Sequence, residues 1–477
     1  MDGGTAPRIP ASARATDILG LAADSREVKP GYLFAALSGS RADGKRFIAD
    51  AIAKGAAAIL SDAETPGETR VPLIVDANPR RRLALMAARF YAPQPKTIAA
   101  VTGTNGKTSV TVFLRQIWER LGVKAASFGT IGIVAPGFER PGSLTTPDPV
   151  ALHRELHALA RAGIDHVALE ASSHGLDQFR LDGLAVTAAA FTNLTRDHLD
   201  YHRDMEAYFT AKARLFTEIL PTGGAAVFNI DSSYTARLSM LARARALRVF
   251  TYGRNPAADL WLSDALPEGL GQRIRFSGFG EKRDVVVPLL GTFQAYNALA
   301  AACLAIGSGA PPAAVLDQIA GLSGVPGRMQ RIGDAPVLVD YAHTPDALET
   351  ALNALRPFTT GKLIVVFGCG GDRDAGKRPQ MGALAESLAD RVIVTDDNPR
   401  GEDAALIRRA ILTACPKAQE IGDRAEAIRA AIGMMAPGDV VLIAGKGHER
   451  GQIVGGRTLP FDDAEVARAV LGGGRAG

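Results

Sequence analysis

A chain of 477 residues with 47% hydrophobic and 22% charged content is long enough for about three domains of ~150 residues, each with its own core. Its 54 basic and 50 acidic residues leave a net charge of only +4, spread along the chain, which gives no grounds for a nucleic-acid or membrane-surface partner. No apolar run reaches the ~18 residues of a membrane span, and Cys303, Cys369 and Cys415 are odd in number and far apart, so reduced thiols in a cytoplasmic enzyme fit better than disulfides or a Cys₄ metal site.

The start, Met1-Asp2-Gly3-Gly4-Thr5-Ala6-Pro7, lacks a basic segment followed by an apolar one, so no signal peptide is expected. It reads as a short disordered tail, as does 472–477. Residues from about 16 to 92 read as a small α/β unit. Asp24-Ser25-Arg26 precedes the strand-like run 32–37, the polar loop 38–44, and a helix carrying Phe47, Ile48 and Ile52. Two β-like runs, 57–60 and 73–75, lead to a helix over about 80–91. Asp76-Ala77-Asn78-Pro79-Arg80 is taken as the start of that helix, with Pro79 near the N-cap. Pro93 and Pro95 close the first domain, 1–93.

The second domain, 94–325, opens on an apolar run that empties into Thr102-Gly103-Thr104-Asn105-Gly106-Lys107-Thr108-Ser109. Val110, Leu114, Ile117 and Leu121 then recur at helical spacing until Gly122. Strand, glycine turn, then helix with a lysine at its entrance is a phosphate cradle, and the unit reads as P-loop NTPase-like. Backbone N–H groups face the anion, Lys107 adds a point charge, and the Thr108 hydroxyl is a Mg²⁺ ligand. The general pattern wants a glycine six residues before the lysine; this chain has Val101 there. A further apolar strand ends in Glu170, either a solvated strand-end acid or the carboxylate that organises Mg²⁺. After the strand 186–191 come His198 and His202, readable as zinc ligands without an obvious third or as part of a phosphate and Mg²⁺ neighbourhood. Met205, Tyr208, Phe209, Leu215, Phe216 and Ile219 make a helical stripe with Lys212 inside it. Lys212 either snorkels out or stays buried as a neutral, nucleophilic amine. An alanine-rich helix over 294–306 follows, and Val325-Pro326-Gly327-Arg328 is a hinge-like exit.

The last domain, 326–477, repeats strand, loop and helix. Its strands end in Asp340-Tyr341-Ala342-His343, Gly368-Cys369-Gly370-Gly371-Asp372-Arg373-Asp374, Asp396-Asp397-Asn398-Pro399-Arg400, and Gly445-Lys446-Gly447-His448-Glu449. Four such strands imply a Rossmann-like, mostly parallel sheet whose ligands bind at the carboxyl ends, where these polar clusters fall. The fold class is therefore α/β in three domains.

Taken together, these residues resemble the Mur ligase family, ATP-dependent amide-forming enzymes of bacterial peptidoglycan synthesis. The likeness covers nearly the whole chain, and the family's phosphate loop accounts for the short glycine spacing. Asp24-Ser25-Arg26, Glu170-Ala171-Ser172-Ser173-His174-Gly175-Leu176, Gly370-Gly371-Asp372-Arg373-Asp374 and Asp397-Asn398-Pro399-Arg400 resemble the branch that adds meso-diaminopimelate to UDP-N-acetylmuramoyl-L-alanyl-D-glutamate.

The resemblance implies that Ser25 and the loop 38–44 hold the uridine diphosphate end, and that Thr145, Thr146, Ser172, Gln178 and Arg180 bind the sugar and peptide. Leu144 stands where many relatives have Asn. ATP would lie on Gly103, Thr104, Asn105, Gly106, Lys107, Thr108 and Ser109, with Asn297 and Arg328 at its adenine and phosphates and Asp340 at its ribose. Thr108, Glu170 and His198 would serve Mg²⁺, and Lys212, carbamylated by CO₂, a second Mg²⁺. Arg373, Asp397, Asn398, Pro399, Arg400, Gly445 and Glu449 would hold diaminopimelate. Its distal carboxylate suits a guanidinium fork, for which Arg400 is the expected residue, whereas lysine ends in an ammonium that Arg400 repels. Closure about 92–96 and 325–328 is expected to assemble the site, in a monomer. The rivals are a lysine-adding ligase, the D-alanyl-D-alanine-adding ligase, a folylpolyglutamate synthetase and, from another class, a nucleotide-switched binding protein.

Overall fold

The computed structural model describes residues 7–39, 43–62, 69–142, 144–199 and 201–473. Residues 40–42 of the polar loop, and the tail positions 1–6 and 474–477, lie outside the described residues. Among the described residues three larger sheets follow one another along the chain, with a two-stranded one after them. The first is parallel, with Gly20–Ala22, Tyr32–Ala35, Ala58–Ser61 and Leu73–Val75 pairing in chain order. Behind it lies the helix Pro79–Phe90, whose first turn is stopped as the sequence implies. Pro79 takes the first helical position and the Asn78 side chain accepts from Arg81 N at 3.0 Å.

The central sheet has seven parallel strands in the spatial order Leu260–Glu268, Arg248–Gly253, Ala225–Asn229, Val186–Phe191, Thr97–Thr102, His166–Glu170 and Ala125–Gly129. Antiparallel strands extend both edges. Its middle strands are rich in alanine: Ala99, Ala100, Ala168, Ala188, Ala189 and Ala190 are fully buried. Side chains this small let the helices Lys107–Arg120 and Thr292–Gly307 lie close on the sheet. Thr292–Gly307 is buried on nearly every face, which explains an apolar composition without a polar stripe. The chain leaves Thr97–Thr102 toward Ala125–Gly129 on one side and reaches Val186–Phe191 on the other. The strand order thus reverses at the phosphate loop, and a crevice opens there.

The four strands expected in the last unit are parallel neighbours in the order Val337–Asp340, Val440–Ala444, Leu363–Phe367 and Arg391–Val394. The last of these in sequence, Val440–Ala444, inserts between two earlier ones, which makes a second reversal point and gathers the four polar strand ends. The hairpin Gly451–Val454 with Arg457–Pro460 is an addition that the sequence reading did not include. Arg400 N donates to Ile453 O at 2.9 Å, so the hairpin is seated on the Asp397–Arg400 turn.

Candidate active site

The phosphate loop is bent by residues without side-chain bulk. Gly103 has φ 143°, and a Cβ there would lie 1.9 Å from Thr192 Oγ1. Neighbouring strand ends pin the loop. Thr192 Oγ1 donates to Asn105 O at 2.6 Å, and Asn193 Oδ1 accepts from Asn105 N at 2.9 Å. Lys107 Nζ donates back to Gly103 O and Thr104 O, at 2.9 and 2.8 Å. Burial lowers its pKa.

Lys212 is inside. It is 1% exposed on Met205–Arg214, its Nζ donates to Gly103 O at 2.8 Å, and it stands 4.5 Å over the Tyr208 ring. The snorkelling alternative fails because the stripe packs both flanks of the helix into the core. Burial, with Lys107 adding to it, holds the Lys212 pKa well below that of an ordinary lysine. Its amine lies behind the loop, away from the cavity wall.

A cavity of about 630 Å³ opens in front of the loop, lined among others by Thr104, Asn105, Gly106, Lys107, Thr108 and Ser109. Thr145, Glu170, His198, Asn297, Arg328 and Asp340 share its wall. Asn297 Nδ2 donates to Gln294 Oε1, and Arg328 Nη2 to Thr108 Oγ1. Asp340 accepts from Met329 N at 2.6 Å, and burial raises its pKa. Glu170 is 1% exposed and is held by a residue the sequence reading missed, Thr130, whose N and Oγ1 donate to its two carboxylate oxygens at 2.9 and 3.0 Å. Thr130 Oγ1 also lies 2.9 Å from Thr145 Oγ1. Burial drives the His198 pKa down to about 4, so its ring is neutral. His202 packs among His174, Tyr201 and Tyr208 and does not reach this wall.

Among the described residues, no three His, Cys, Asp or Glu side chains converge as a metal cage. Mg²⁺ needs none, since it commonly takes one or two protein ligands together with substrate phosphates. Thr108, Glu170 and His198 on a single wall suit that mode.

A second cavity, of about 690 Å³, lies at the ends of the C-terminal strands, lined by Arg373, Asp397, Asn398, Arg400, Gly445 and Glu449. Arg400 has φ 53°, and its Nη1 donates to Gly371 O at 2.8 Å. Glu449 already has a counter-ion: Lys446 Nζ lies 3.1 Å away and also donates to Asn398 Oδ1 at 3.0 Å. Pro399 contributes backbone only, its O accepting from Glu402 N, and is not on the wall. Beneath the strand ends, Arg424 makes a two-pronged pair with Asp463, at 2.7 and 2.8 Å, and both side chains are wholly buried.

A third cavity, of about 540 Å³, joins Ser25 to Gln178 and Arg180. Arg180 donates to Thr146 O at 2.6 Å and Gln178 Oε1 at 2.7 Å. Thr146 and Ser172 are themselves used in holding the turn, Ser172 N donating to Thr146 Oγ1 and Gly175 N to Ser172 Oγ. Leu144 is 55% exposed. Arg80 belongs to this wall and bonds Ser38 O. Its motif carried the signal, a copy of the later Asn-Pro-Arg, but the helix-start explanation concealed it. Asp346 was also missed. On the helix Pro345–Leu355, it accepts from Asn105 Nδ2 and Thr195 Oγ1, both at 3.1 Å, and so ties the last unit to the phosphate loop.

Comparison with known proteins finds relatives along nearly the whole chain. The Mur ligase family catalytic domain matches residues 17–91, the Mur ligase middle domain 101–305, and the Mur ligase glutamate ligase domain 327–447. The UDP-N-acetylmuramoyl-L-alanyl-D-glutamate–2,6-diaminopimelate ligase of Bradyrhizobium diazoefficiens is 55% identical over 96% of this chain and 95% of its own. The protein of that name from Chelativorans sp. is 53% identical over 96% and 95%. A solved structure of a ligase so named is 36% identical, covers 98% of both chains and superposes with a TM-score of 0.72. The chain belongs to the Mur ligase family.

Proposed function

We propose that this ligase joins meso-diaminopimelate to the D-glutamyl γ-carboxylate of UDP-N-acetylmuramoyl-L-alanyl-D-glutamate, converting ATP to ADP and phosphate, in the cytoplasmic synthesis of peptidoglycan precursors. The observation that carries the reading is the meeting of two cavities, one in front of the phosphate loop and one walled by Arg400, along a shared edge. Of the described helices none is long and apolar enough to cross a membrane.

ATP lies with its phosphates on the loop, where Lys107 exchanges two carbonyl partners for phosphate oxygens, and its ribose toward Asp340. The UDP end enters the Ser25 cavity, and the peptide runs past Arg180 and Thr145 to Glu170. The γ-carboxylate attacks the γ-phosphorus in line, giving an acyl phosphate and ADP. Lys107 and Arg328 offset the charge gathered there. Thr108, Glu170 and His198 would hold Mg²⁺, which would supply further charge neutralisation. Diaminopimelate sits with its distal carboxylate on Arg400, and its other amine displaces phosphate from the acyl carbon. The reading includes a carbamate on Lys212, formed when its neutral Nζ adds CO₂ and sheds a proton. Its burial and depressed pKa support this, and alkylative trapping followed by peptide mass measurement tests it.

The deciding experiment is phosphate release from ATP with the UDP-muramyl dipeptide, adding meso-diaminopimelate or L-lysine in parallel. Release with diaminopimelate alone is expected. Equal release with lysine overturns the acceptor assignment, and release indifferent to both amino acid and dipeptide overturns the ligase reading.

A further inference from the structure

Asp197, His198, Tyr341, His343 and Asp346 each line both the phosphate-loop cavity and the strand-end cavity. An amine crossing from one cavity to the acyl phosphate in the other must pass these five. It must also lose a proton there, because an amide nitrogen keeps one hydrogen fewer than the amine. Four of the five are engaged otherwise. Asp346 Oδ2 already accepts two hydrogen bonds. Asp197 Oδ1 accepts from His198 N at 2.8 Å. The Tyr341 hydroxyl is pushed up to about 12 by burial and stays protonated. His198 belongs with the Mg²⁺ set.

His343 is differently placed. Its Nδ1 lies 2.8 Å from Tyr341 O. A carbonyl oxygen can only accept, so Nδ1 carries the hydrogen and Nε2 presents a lone pair. Among the described residues Nε2 has no hydrogen-bond partner. The backbone of His343 is held as well, its O accepting from Lys377 Nζ at 2.7 Å. The charged groups that act on the ring are Lys377, which disfavours its protonation, and the carboxylates of Asp197 and Asp397, which favour it. Burial and Lys377 outweigh both acids and keep the imidazole neutral.

We propose that His343 is the proton shuttle of the second half-reaction, a role that rests on the ligase reading above. The neutral amine of the acceptor bonds to the acyl carbon, and the adduct nitrogen becomes cationic and far more acidic than a free ammonium. His343 Nε2 takes that proton. The C–O bond to phosphate then breaks, its electron pair leaving with the phosphate, and His343 returns the proton to it. Acyl phosphate and amine become amide and hydrogen phosphate, with no net proton taken from solvent. A base that is neutral and weak is suited to this, since it accepts only from the adduct and is at once ready to give the proton up.

Two variants test the assignment. His343→Asn keeps a donor toward Tyr341 O, and His343→Gln places an uncharged amide near Nε2; neither is a base. The first half-reaction is read without acceptor, by trapping the acyl phosphate with hydroxylamine, and the second by phosphate release with diaminopimelate. Both variants are expected to form hydroxamate at the wild-type rate while diaminopimelate-dependent kcat falls about 10²–10⁴-fold with KM nearly unchanged. Parallel loss of hydroxamate formation, or a kcat within about threefold of wild type, overturns the shuttle. Wild-type protein that yields no hydroxamate overturns the ligase reading itself, and the shuttle with it.

Discussion

Around the phosphate loop the side-chain nitrogens of Lys107 and Lys212 share one carbonyl oxygen, that of Gly103. Around the strand ends of the C-terminal sheet, by contrast, Lys446 and Arg424 each have a carboxylate opposite, Glu449 and Asp463. Both sites stand at a reversal of strand order and both are deeply enclosed, so burial alone does not separate them. What differs is where the countercharge comes from. Among the described residues Lys107 has backbone carbonyls rather than a carboxylate as its partners, and the anions it is to meet are those of the substrate. The strand ends are neutralised in part from within, and Arg373 and Arg400 share the wall that meets the ligand.

This contrast predicts a descending series of effects. Asp463→Ala leaves the Arg424 guanidinium buried without its partner and should cost about 3–5 kcal/mol of stability in urea unfolding. Much of that loss should be recovered in Arg424→Met/Asp463→Leu; a double variant no more stable than the single one contradicts a scaffolding role. Lys107→Met should lower kcat about 10²–10³-fold, because it removes a cation that meets charge developing on the phosphates, while the unfolding midpoint holds or rises. A marked loss of stability instead would assign Lys107 to the loop's own architecture. Arg400→Ala should raise KM for diaminopimelate about 10–10²-fold, the worth of a hydrogen bond to a charged group, and leave KM for ATP alone. Arg80→Ala should raise KM for the UDP-muramyl dipeptide about tenfold with kcat unchanged. Burial lowers the Arg180 pKa, and Asp148 opposes this by more than Arg80 adds to it; the two guanidinium groups on one cavity wall still favour a phosphate-bearing ligand between them. An unchanged KM in that variant removes Arg80 from the substrate wall.

The features that could be read from the chain were those set by local periodicity. The phosphate loop, the strand ending in Glu170, the four C-terminal strand ends and the place of Lys212 within an apolar stripe each follow from spacing within a dozen or so residues, whereas the burial of Lys212 is settled by packing. Thr130 could not be read this way, since its importance comes from a turn brought beside Glu170 by strand pairing across the sheet. Asp346 and Arg80 were hidden for another reason: an acid in the first turn and an Asn-Pro start are sufficient local explanations of a helix. The hairpin after Glu449 did carry a signal, since Gly455 and Gly456, at φ 54° and 76°, form a two-residue turn between alternating strands. Domain-scale contacts such as Asp346 with Asn105 are matters of assembly, beyond any window along the sequence.

The acceptor that Lys107 and Lys212 share is a main-chain atom. No substitution at position 103 deletes it, and any Cβ there strikes Thr192 Oγ1. Mutational scanning will therefore find position 103 intolerant for steric reasons and pass over its electrostatic one. The pairing of these two lysines is inherited through the path of the backbone, and only a change that moves the strand can test it.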